Sequence, residues 1–371
     1  MDKKNKIVQL ANAHSNFDNR IFNKISKSLA SHGYDVDLIV QHDKDETVDG
    51  VHIKALPIAE NKMDRFVKIM PRLFYKSIQY PPKTVFHFHE PELLPVGFML
   101  KLFGYTVIYD IHEDNATGIL QKEYLPEFFK RVFFRLIVFL EKVAHDQLHT
   151  IIAEEYYEER FPKALKVLNY PKLDWAKDLD IERGNPTSIL YTGSITIDRG
   201  AVNHIELLKY LDDSVKLKMI GVCAFSVHED LKRKAEDYSG RLEIIGASGH
   251  VPFKKIIEQY RRKEWIVGLA VFPETPHYKR KYLTKFFEYM AAGLPIIYSD
   301  FPSWRKLLEP LNVGIPVDPE NTKEVVKAIQ KVKDSDALRN SMAKNGRKAV
   351  LERYNWDEEE RKLLDFFKKI T

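Results

Sequence analysis

The sequence predicts an α/β protein made of two doubly wound domains, each a mostly parallel sheet covered by helices on both faces. Three observations support this prediction. The chain has 371 residues, more than one ordinary hydrophobic core takes up. Short apolar strands alternate with amphipathic helices along most of it. The alternation starts again after a polar stretch at 178–186, which indicates a linker.

The composition is that of a globular protein, with 44% hydrophobic and 30% charged residues and a net charge of +5. This mild positive charge favours acidic ligands or an anionic membrane surface. The basic residues are dispersed, so nothing indicates nucleic-acid binding. Cys223 is the only cysteine, which excludes an intrachain disulfide and favours a reducing, cytoplasmic location.

The N-terminal half contains six segments with the length and composition of strands. Apolar residues at helical spacing from Ile21 to Leu29 predict a first helix that stops at Gly33. A long amphipathic helix is predicted over 127–144. The six predicted strands are 7–10, 36–40, 51–56, 84–89, 106–111 and 149–153.

The second half repeats the pattern. Its last helix, 356–369, has an apolar stripe that fits either domain. Ligands of doubly wound sheets bind beyond the carboxyl ends of the strands, so site residues are expected just after strands, in a cleft between the domains. The five predicted strands are 188–192, 216–220, 242–245, 266–271 and 295–298.

The segment 284–295 predicts a short helix that Thr284 caps and Gly293 closes, with Glu288 placed to accept hydrogen bonds from a sugar hydroxyl. Cations crowd its start, where the macrodipole disfavours each by about 0.3–1 kcal/mol. This pattern indicates a bound anion such as a phosphate. The cations are Lys279, Arg280, Lys281 and Lys285.

Two other strand–helix junctions carry similar signals. Gly193, after the first strand of the second domain, lets a ligand approach the backbone, and Arg199 can fork onto a diphosphate. Near the N-terminus, Asp18 is placed to cap the first helix. Arg20 is another cation at a helix start, for which an anionic ligand group is expected.

Histidines and carboxylates end two neighbouring strands. His87 and His89 share one face of the first, and Asp110 and His112 share one face of the second. Such groups can bind a divalent metal. No third ligand cluster with firm spacing accompanies them, so polar strand ends lining a ligand cleft are the favoured interpretation.

The segment 128–135 mixes aromatic and basic residues on a predicted helix. One interpretation is a helix that lies on an anionic membrane. The favoured interpretation is a helix that buries its aromatic side chains against the sheet and leaves its basic face in solvent.

Together these residues resemble the family-4 retaining glycosyltransferases of the GT-B fold, glycosyl transferases group 1, over nearly the whole chain. Each motif alone is weak, but all occur in the family's order. They are Asp18-Asn19-Arg20-Ile21-Phe22 ahead of Gly33-Tyr34, His87 to Leu94, Tyr109 to Asp114, and Thr284 to Pro295 followed by Ser299-Asp300-Phe301-Pro302.

The resemblance implies an N-terminal acceptor-binding domain, residues 1–170, with helix 355–371 packed back on it. It implies a C-terminal domain, 186–354, that binds a nucleotide diphosphate-sugar. His112, Arg199 and Lys285 are the implied catalytic residues, with His112 near the reacting carbon. The implied nucleotide-sugar site is Gly193, Ser194, Arg199, Thr284, Lys285 and Glu288, with Glu288 on the ribose. The implied acceptor or cleft residues are Asp18, Arg20, His89, Glu90, Asp110 and Glu113.

Two positions depart from the pattern. Many relatives have a sugar-binding glutamate where this chain has Arg280, and an arginine where it has Ser194. Lys285 is then expected to supply the missing phosphate-binding cation. Glu274, His277 or backbone N–H groups are expected to hold the sugar.

The resemblance implies transfer of a sugar to a glycan or lipid-linked acceptor with retention of configuration, without a metal or other cofactor. It implies a role in surface polysaccharide assembly, in the cytoplasm or at the inner face of the cytoplasmic membrane. The alternatives are a GT-B nucleotide-sugar epimerase and a non-catalytic nucleotide-sugar-binding homologue.

Overall fold

The computed structural model describes residues 5–14, 17–112, 117, 119, 126–182, 184–247, 249, 251–275 and 278–371. The chain divides into two compact units. Unit 1 comprises Met1–Asn169 and Trp356–Thr371, and unit 2 comprises Tyr170–Asn355. The polypeptide therefore leaves unit 1 once and returns to it for its last helix.

Unit 1 is built on an eight-stranded sheet. Its strands are β1 Lys6–Leu10, β2 Asp35–Gln41, β3 Glu46–Val48, β4 Val51–Leu56, β5 Val85–Phe88, β6 Thr106–Ile111, β7 His149–Ile152 and β8 Leu165–Lys166. Their order is β3-β4-β2-β1-β5-β6-β7-β8, and only the β3/β4 pair is antiparallel. The parallel part needs cover on both faces.

The burial pattern of β1 shows how both faces are covered. Val8 and Leu10 belong to one apolar cluster, while Ile7 and Ala11 belong to another, so successive side chains point to opposite faces. The first cluster also includes residues of α3, α4 and α5, and the second includes the first helical segment. The helices are α1 Lys27–Ser31 with the preceding π-helical turn Ile21–Ser26, α2 Lys62–Asp64, α3 Met70–Ser77, α4 Leu94–Leu102 and α5 Glu127–Gln147.

Unit 2 is built on a six-stranded sheet that is parallel throughout. Its strands are β9 Ser188–Thr192, β10 Lys216–Ile220, β11 Leu242–Ile245, β12 Trp265–Ala270, β13 Ile296–Ser299 and β14 Gly314–Val317, in the order β11-β10-β9-β12-β13-β14. Its helices are α6 Ala201–Glu206, α7 Phe225–Lys234, α8 Phe253–Tyr260, α9 Thr284–Ala291, α10 Pro302–Leu308, α11 Thr322–Lys333 and α12 Asp336–Glu352.

The last helix, α13 Trp356–Ile370, belongs to unit 1. Trp356, Leu363 and Phe367 join the same apolar cluster as the first helical segment. Two hydrogen bonds fix its position: Trp356 Nε1 donates to Ser28 Oγ at 3.0 Å, and Glu359 accepts the backbone N–H of Leu168 at 2.8 Å. The apolar stripe read from the sequence is therefore part of the core of unit 1.

Helix α9 ends as the sequence predicts and begins differently. Gly293 has a φ of +64°, and its N–H donates to the carbonyl of Met290 while Leu294 N–H donates to Tyr289, which is a Schellman closure. The predicted Thr284 cap is wrong. Thr284 is the first helical residue, and Leu283 stands at the N-cap position without a side-chain hydrogen bond.

The predicted class, two parallel α/β sheets, is confirmed, and every strand expected from the sequence lies within about two residues of its predicted bounds. Three short strands were not predicted: β3, β8 and β14. Strand β14 contains Pro316, which lacks an N–H donor and is tolerated because β14 lies at the sheet edge.

Helix α5 contradicts the favoured interpretation of 128–135. Phe128 is 71% exposed, Phe129 50% and Phe133 41%, while Lys130 is among the buried residues of the helix. These three aromatic side chains are therefore not buried against the sheet, and Phe134 is half-buried. Within the described part of the chain, no helix combines the length and apolar character needed to cross a membrane.

Candidate functional site

Two neighbouring strands of unit 2, β9 and β10, end at closely packed glycines. The N–H of Gly193, after β9, donates to Ile220 at 2.9 Å, and that of Gly221, after β10, donates to Ile245 at 3.0 Å. A Cβ on Gly221, whose φ is +156°, would lie 1.9 Å from the carbonyl oxygen of Gly193. Only glycine fits this crossing of two backbones.

Beyond this glycine edge lies a pocket of about 320 Å³ within unit 2. Of the six residues predicted for the nucleotide-sugar site, five line it; Ser194 does not. The carbonyl of Ser194 instead accepts the hydroxyl of Tyr191 at 2.7 Å. The five are Gly193, Arg199, Thr284, Lys285 and Glu288. These five residues come from two separate parts of the sequence, the segment after β9 and helix α9.

Lys285, in the first turn of α9, reaches the backbone of Gly193. A Cβ built on Gly193 would lie 3.7 Å from Lys285 Nζ and 3.9 Å from Arg199 Nη1. The ammonium lies 3.7 Å from the ring centroid of Tyr191 and 4.8 Å from that of Phe272. In the described structure Nζ has no hydrogen-bond partner. Burial, reinforced by the charge of Arg199, holds the pKa of Lys285 well below its usual range.

Arg199 is oriented by a tyrosine that sequence reasoning missed. Its Nε donates to the hydroxyl of Tyr278 at 3.0 Å, and that hydroxyl donates to Asp198 at 2.9 Å. The chain of bonds directs the guanidinium along one side of the pocket. The signal available in the sequence was only a tyrosine six residues before Thr284, where α9 begins.

Glu288 is also held by a tyrosine. Tyr260 donates its hydroxyl to Glu288 Oε2 at 2.8 Å, and the same hydroxyl lies 3.0 Å from Thr192 Oγ1. Burial raises the pKa of Tyr260 well above its usual range, so the phenol stays protonated and remains a donor. The indole of Trp175 stacks on this ring at 5.2 Å. The carboxylate is therefore fixed one turn after Lys285.

The other cations near α9 are arranged differently. Lys279 pairs with Glu274, and Lys281 lines the pocket. Arg280, which stands where many relatives have a glutamate, is exposed. His277, one of the residues considered for holding the sugar, lies outside the described residues.

In unit 1, the strand ends carry a buried polar network centred on Asp110. Arg20 donates through Nε and Nη2 to the two oxygens of Asp110, both at 2.8 Å, and His89 lies 3.1 Å from Oδ2. His89 also contacts Gln9 at 2.8 Å. Burial alone would raise the pKa of Asp110, yet Arg20 and His89 hold it well below its usual range. The prediction that Arg20 binds an anionic ligand group is therefore wrong, because Arg20 is paired with the carboxylate of Asp110.

His87, His89 and Asp110 bring potential ligand atoms within 4.8 Å of one another. Both oxygens of Asp110 are already bound by Arg20, and an ion there would face the buried guanidinium. Burial lowers the pKa of His87 well below its usual range, and its ring has no hydrogen-bond partner among the described residues. The ion pair makes a divalent cation at this cluster unfavourable.

Glu90 organises the loop after β1, a role that the sequence did not suggest. Its Oε1 accepts the backbone N–H groups of Asn12, Ala13 and His14 at 3.0, 2.9 and 3.3 Å. The loop brings His14 Nε2 to 2.9 Å from His112 Nε2. Burial lowers the pKa of His112 to about 3, so His112 takes part in this hydrogen bond as a neutral ring.

Two further residues of unit 1, Asp18 and Glu113, were predicted for the acceptor side. Asp18 Oδ1 accepts the backbone N–H groups of Arg20 and Ile21 at 2.7 and 2.8 Å, which ties the carboxylate to the start of the first helical segment. Glu113, predicted for the acceptor side, lies outside the described residues. The predicted acceptor residues Arg20, His89 and Asp110 form one network, with Glu90 beside it on the same sheet edge.

Comparisons with known proteins concern the family and the fold. Residues 221–365 match the sequence model of the family described as glycosyl transferase-like. No curated protein sequence matches the chain. Among solved structures, sucrose-phosphate synthase from Thermosynechococcus elongatus matches with a TM-score of 0.72 and 17% identity, covering 99% of each chain.

Two other solved structures show the same fold. Anabaena HepE in complex with UDP has a TM-score of 0.71 and 12% identity, covering 98% of this chain and 100% of its own. The α,α-trehalose 6-phosphate synthase from Burkholderia multivorans has a TM-score of 0.70 and 11% identity, covering 100% of both. The match over residues 221–365 and the fold of the whole chain confirm the resemblance to GT-B glycosyltransferases that the sequence predicts.

Proposed function

We propose that the protein transfers a sugar from a nucleoside diphosphate-sugar to a glycan or lipid-linked acceptor, with retention of configuration. One observation carries the donor assignment: Lys285 and Arg199 converge beside Gly193 in the pocket that also holds Glu288. Two cations beside an accessible glycine backbone suit a diphosphate, and a carboxylate one turn away suits ribose hydroxyls. Anabaena HepE, of the same fold, binds UDP and UDP-glucose.

In this proposal the cations act mainly in the transition state. Departure of the nucleoside diphosphate concentrates negative charge on the leaving phosphate. Arg199, oriented by Tyr278, and Lys285 stabilise that charge more strongly than the charge of the bound donor. Lys285 fills the place left by Ser194, where many relatives have an arginine. We propose that the reaction needs neither a metal nor another cofactor.

The acceptor side is proposed for unit 1. The network of Arg20, His89 and Asp110, with Glu90 beside it, places polar groups at the carboxyl ends of β5 and β6. The resemblance gives His112 a role near the reacting carbon, and its neutral ring is suited to hydrogen bonding with a sugar hydroxyl. No protein nucleophile is required if the acceptor attacks on the face that the diphosphate leaves.

The donor assignment is tested by measuring binding and turnover of a panel of nucleotide-sugars with the purified protein. Arg199→Ala and Glu288→Ala are each expected to weaken donor binding at least about tenfold, since each removes a charged hydrogen-bonding partner. Arg233→Ala, an exposed arginine on α7 paired with Asp230, is the control and is expected to bind as the wild type. Unchanged nucleotide-sugar binding by the Arg199→Ala/Glu288→Ala double variant would contradict the assignment of the donor site.

The reaction class is tested separately. NMR of the product is expected to show the anomeric configuration of the donor, and an inverted product contradicts retention. Donor consumed without any acceptor would favour the epimerase alternative. Binding without turnover across all donors and acceptors would favour the non-catalytic alternative, to which the exposed Arg280 lends support.

We also propose peripheral contact with the cytoplasmic membrane surface through α5. The helix exposes a stripe of large apolar side chains, while Arg131 and Arg135 are exposed beside them. Apolar side chains flanked by arginines are typical of helices that lie in an anionic lipid interface. The stripe is Phe128, Phe129, Val132, Phe133, Leu136 and Phe139.

Sedimentation with lipid vesicles tests this contact. The protein is expected to bind vesicles of phosphatidylcholine with phosphatidylglycerol more strongly than phosphatidylcholine alone. The Phe128→Ser/Phe129→Ser variant is expected to lose most of this binding. Phe225→Ser, which removes an equally exposed phenylalanine from unit 2, is the matched control. Equal binding by the α5 variant and the control would contradict the proposal.

A further inference from the structure

The amino group of Lys285 lies where an ammonium ion is poorly stabilised. The residue is only 7% exposed, and its Nζ has no hydrogen-bond partner in the described part of the chain. Its neighbours within the pocket are the ring faces of Tyr191 and Phe272. Ring faces attract a cation weakly compared with the cost of removing it from water, so they do not replace the lost hydration.

The ionisable groups around Lys285 also fail to stabilise its charge. From the loop after β9, Arg199 contributes a second positive charge. From α6, His204 is buried and neutral, since burial lowers its pKa to about 3. On α9 itself, Glu288 is the opposing charge, and its Oε2 already accepts the hydroxyl of Tyr260. Two tyrosine hydroxyls in this region are already engaged: that of Tyr191 donates to the carbonyl of Ser194 and that of Tyr278 donates to Asp198.

We propose that binding of a nucleoside diphosphate group in this pocket is coupled to uptake of one proton by Lys285. The inference rests on the proposed function, because the diphosphate is that of the donor. Without a ligand, the amine is neutral. Phosphate oxygens beside Gly193 bring the negative charge and the hydrogen-bond acceptors that the site lacks, and the amine takes a proton from solvent to become an ammonium ion.

The coupling gives Lys285 a role distinct from that of Arg199. Arginine stays charged in both states, whereas Lys285 carries its charge only while a diphosphate is present. The positive charge is therefore created at the place where the leaving phosphate develops negative charge. The same coupling makes donor affinity depend on pH. Where Lys285 is neutral in the free protein and charged in the complex, the Kd rises about tenfold per pH unit.

Isothermal titration calorimetry with UDP-glucose tests the coupling. The phosphates of a nucleotide-sugar do not titrate near neutral pH, so exchanged protons belong to the protein. Binding is measured in buffers of different ionisation enthalpy. The slope of the observed binding enthalpy against the buffer ionisation enthalpy gives the number of protons exchanged. Uptake of about one proton is expected near pH 8. Binding with no net proton uptake would overturn the proposal.

Three variants assign the proton. Lys285→Arg keeps a permanent charge, so it is expected to bind UDP-glucose without proton uptake. Lys285→Met is expected to bind at least about tenfold more weakly, also without uptake. Lys281→Met removes another lysine lining the same pocket and is expected to leave uptake unchanged. Proton uptake by Lys285→Arg equal to that of the wild type would overturn the assignment.

NMR of the ligand-free protein separates this proposal from the proposed function. With ¹³Cε-labelled lysine, one resonance missing from Lys285→Arg is expected to titrate well below the bulk of the lysines. Titration of Lys285 together with the other lysines would overturn the coupling, whether or not UDP-glucose binds. Failure of every nucleotide-sugar to bind would instead contradict the proposed function. The NMR titration would still show whether the amine of Lys285 is neutral in the ligand-free protein.

Discussion

At the scale of single residues, Glu90 shows how one buried carboxylate can shape a loop. Its Oε1 accepts three consecutive backbone N–H groups after β1. Glu90→Ala removes this acceptor, and each N–H left buried without a partner costs about 1–3 kcal/mol. We expect the free energy of unfolding to fall by at least about 2 kcal/mol, as measured by urea denaturation.

Glu90→Gln is the matched variant, since its amide oxygen can still accept the same N–H groups. It is expected to lose about 1 kcal/mol or less, the difference between a charged and a neutral acceptor. In NMR spectra, the alanine variant is expected to change the imidazole nitrogen shifts of His14 and His112, which the loop holds at 2.9 Å. Equal stability of the two variants would show that the oxygen does not organise the loop.

The sequence identified charged residues better than it identified their partners. The position of Arg20 at a helix start indicated an anion, but Asp110 lies ninety residues away along the chain. Lys285 was expected as a phosphate-binding cation, yet its burial depends on Tyr191 in β9 and Phe272 just after β12, which lie elsewhere in the sequence. Tyr260 and Tyr278 were missed because a tyrosine carries no local signal for the residue that it will orient.

At the scale of elements, the loops after β9 and β10 cross in close backbone contact beside the pocket. In Gly221→Ala, the new Cβ would lie 1.9 Å from the carbonyl oxygen of Gly193, so the backbone beside Lys285 must move. We expect a loss of about 2 kcal/mol or more in unfolding free energy and at least about tenfold weaker donor binding. Urea denaturation and calorimetry measure the two effects.

Gly240→Ala is the control for this variant. A Cβ on Gly240 meets no atom within 4 Å, so only a change within about 0.5 kcal/mol is expected. A Gly221→Ala protein with the stability and affinity of the control would contradict the backbone crossing.

Most elements could be predicted because their signals are local. The strands are continuous apolar runs, and Gly293 closes α9 with the two hydrogen bonds expected of a helix end. The predictions that were missed or wrong also concern single elements. The short edge strand β14 is masked by Pro316, and the amphipathic pattern of α5 could not show whether its aromatic face is covered.

At the scale of the whole molecule, the division into units could be anticipated from the repeated alternation of strands and helices. The place of α13 could not be read from its apolar stripe, because the stripe suits either sheet. Trp356 places α13 in unit 1, because its side chain packs among residues of the first helical segment and donates a hydrogen bond to Ser28. Contacts between residues more than three hundred positions apart leave no periodicity in the sequence.

The two units are expected to respond differently to acid. Burial lowers the pKa of His112 in unit 1 and of His204 in unit 2 to about 3, against about 6.5 in the unfolded chain. Unfolding then binds protons, so stability is full above about pH 6.5 and falls as the pH drops toward 3. At about pH 5 each histidine costs its unit about 2 kcal/mol. His87, whose pKa is also lowered by burial, adds to the loss in unit 1.

Urea denaturation of the full chain at about pH 7.5 and about pH 5 measures this difference. Trp356 lies in unit 1, while the other three tryptophans, Trp175, Trp265 and Trp304, lie in unit 2, so comparison with Trp356→Phe separates the two fluorescence transitions. The histidines are expected to lower the stability of unit 1, which has two of them with lowered pKa values, more than that of unit 2. His204→Gln cannot titrate and can still donate to the carbonyl of Val271, so it is expected to remove about 2 kcal/mol of the pH dependence of unit 2 alone. A pH dependence of unit 2 that is not reduced by this substitution would show that the buried imidazole does not contribute to it.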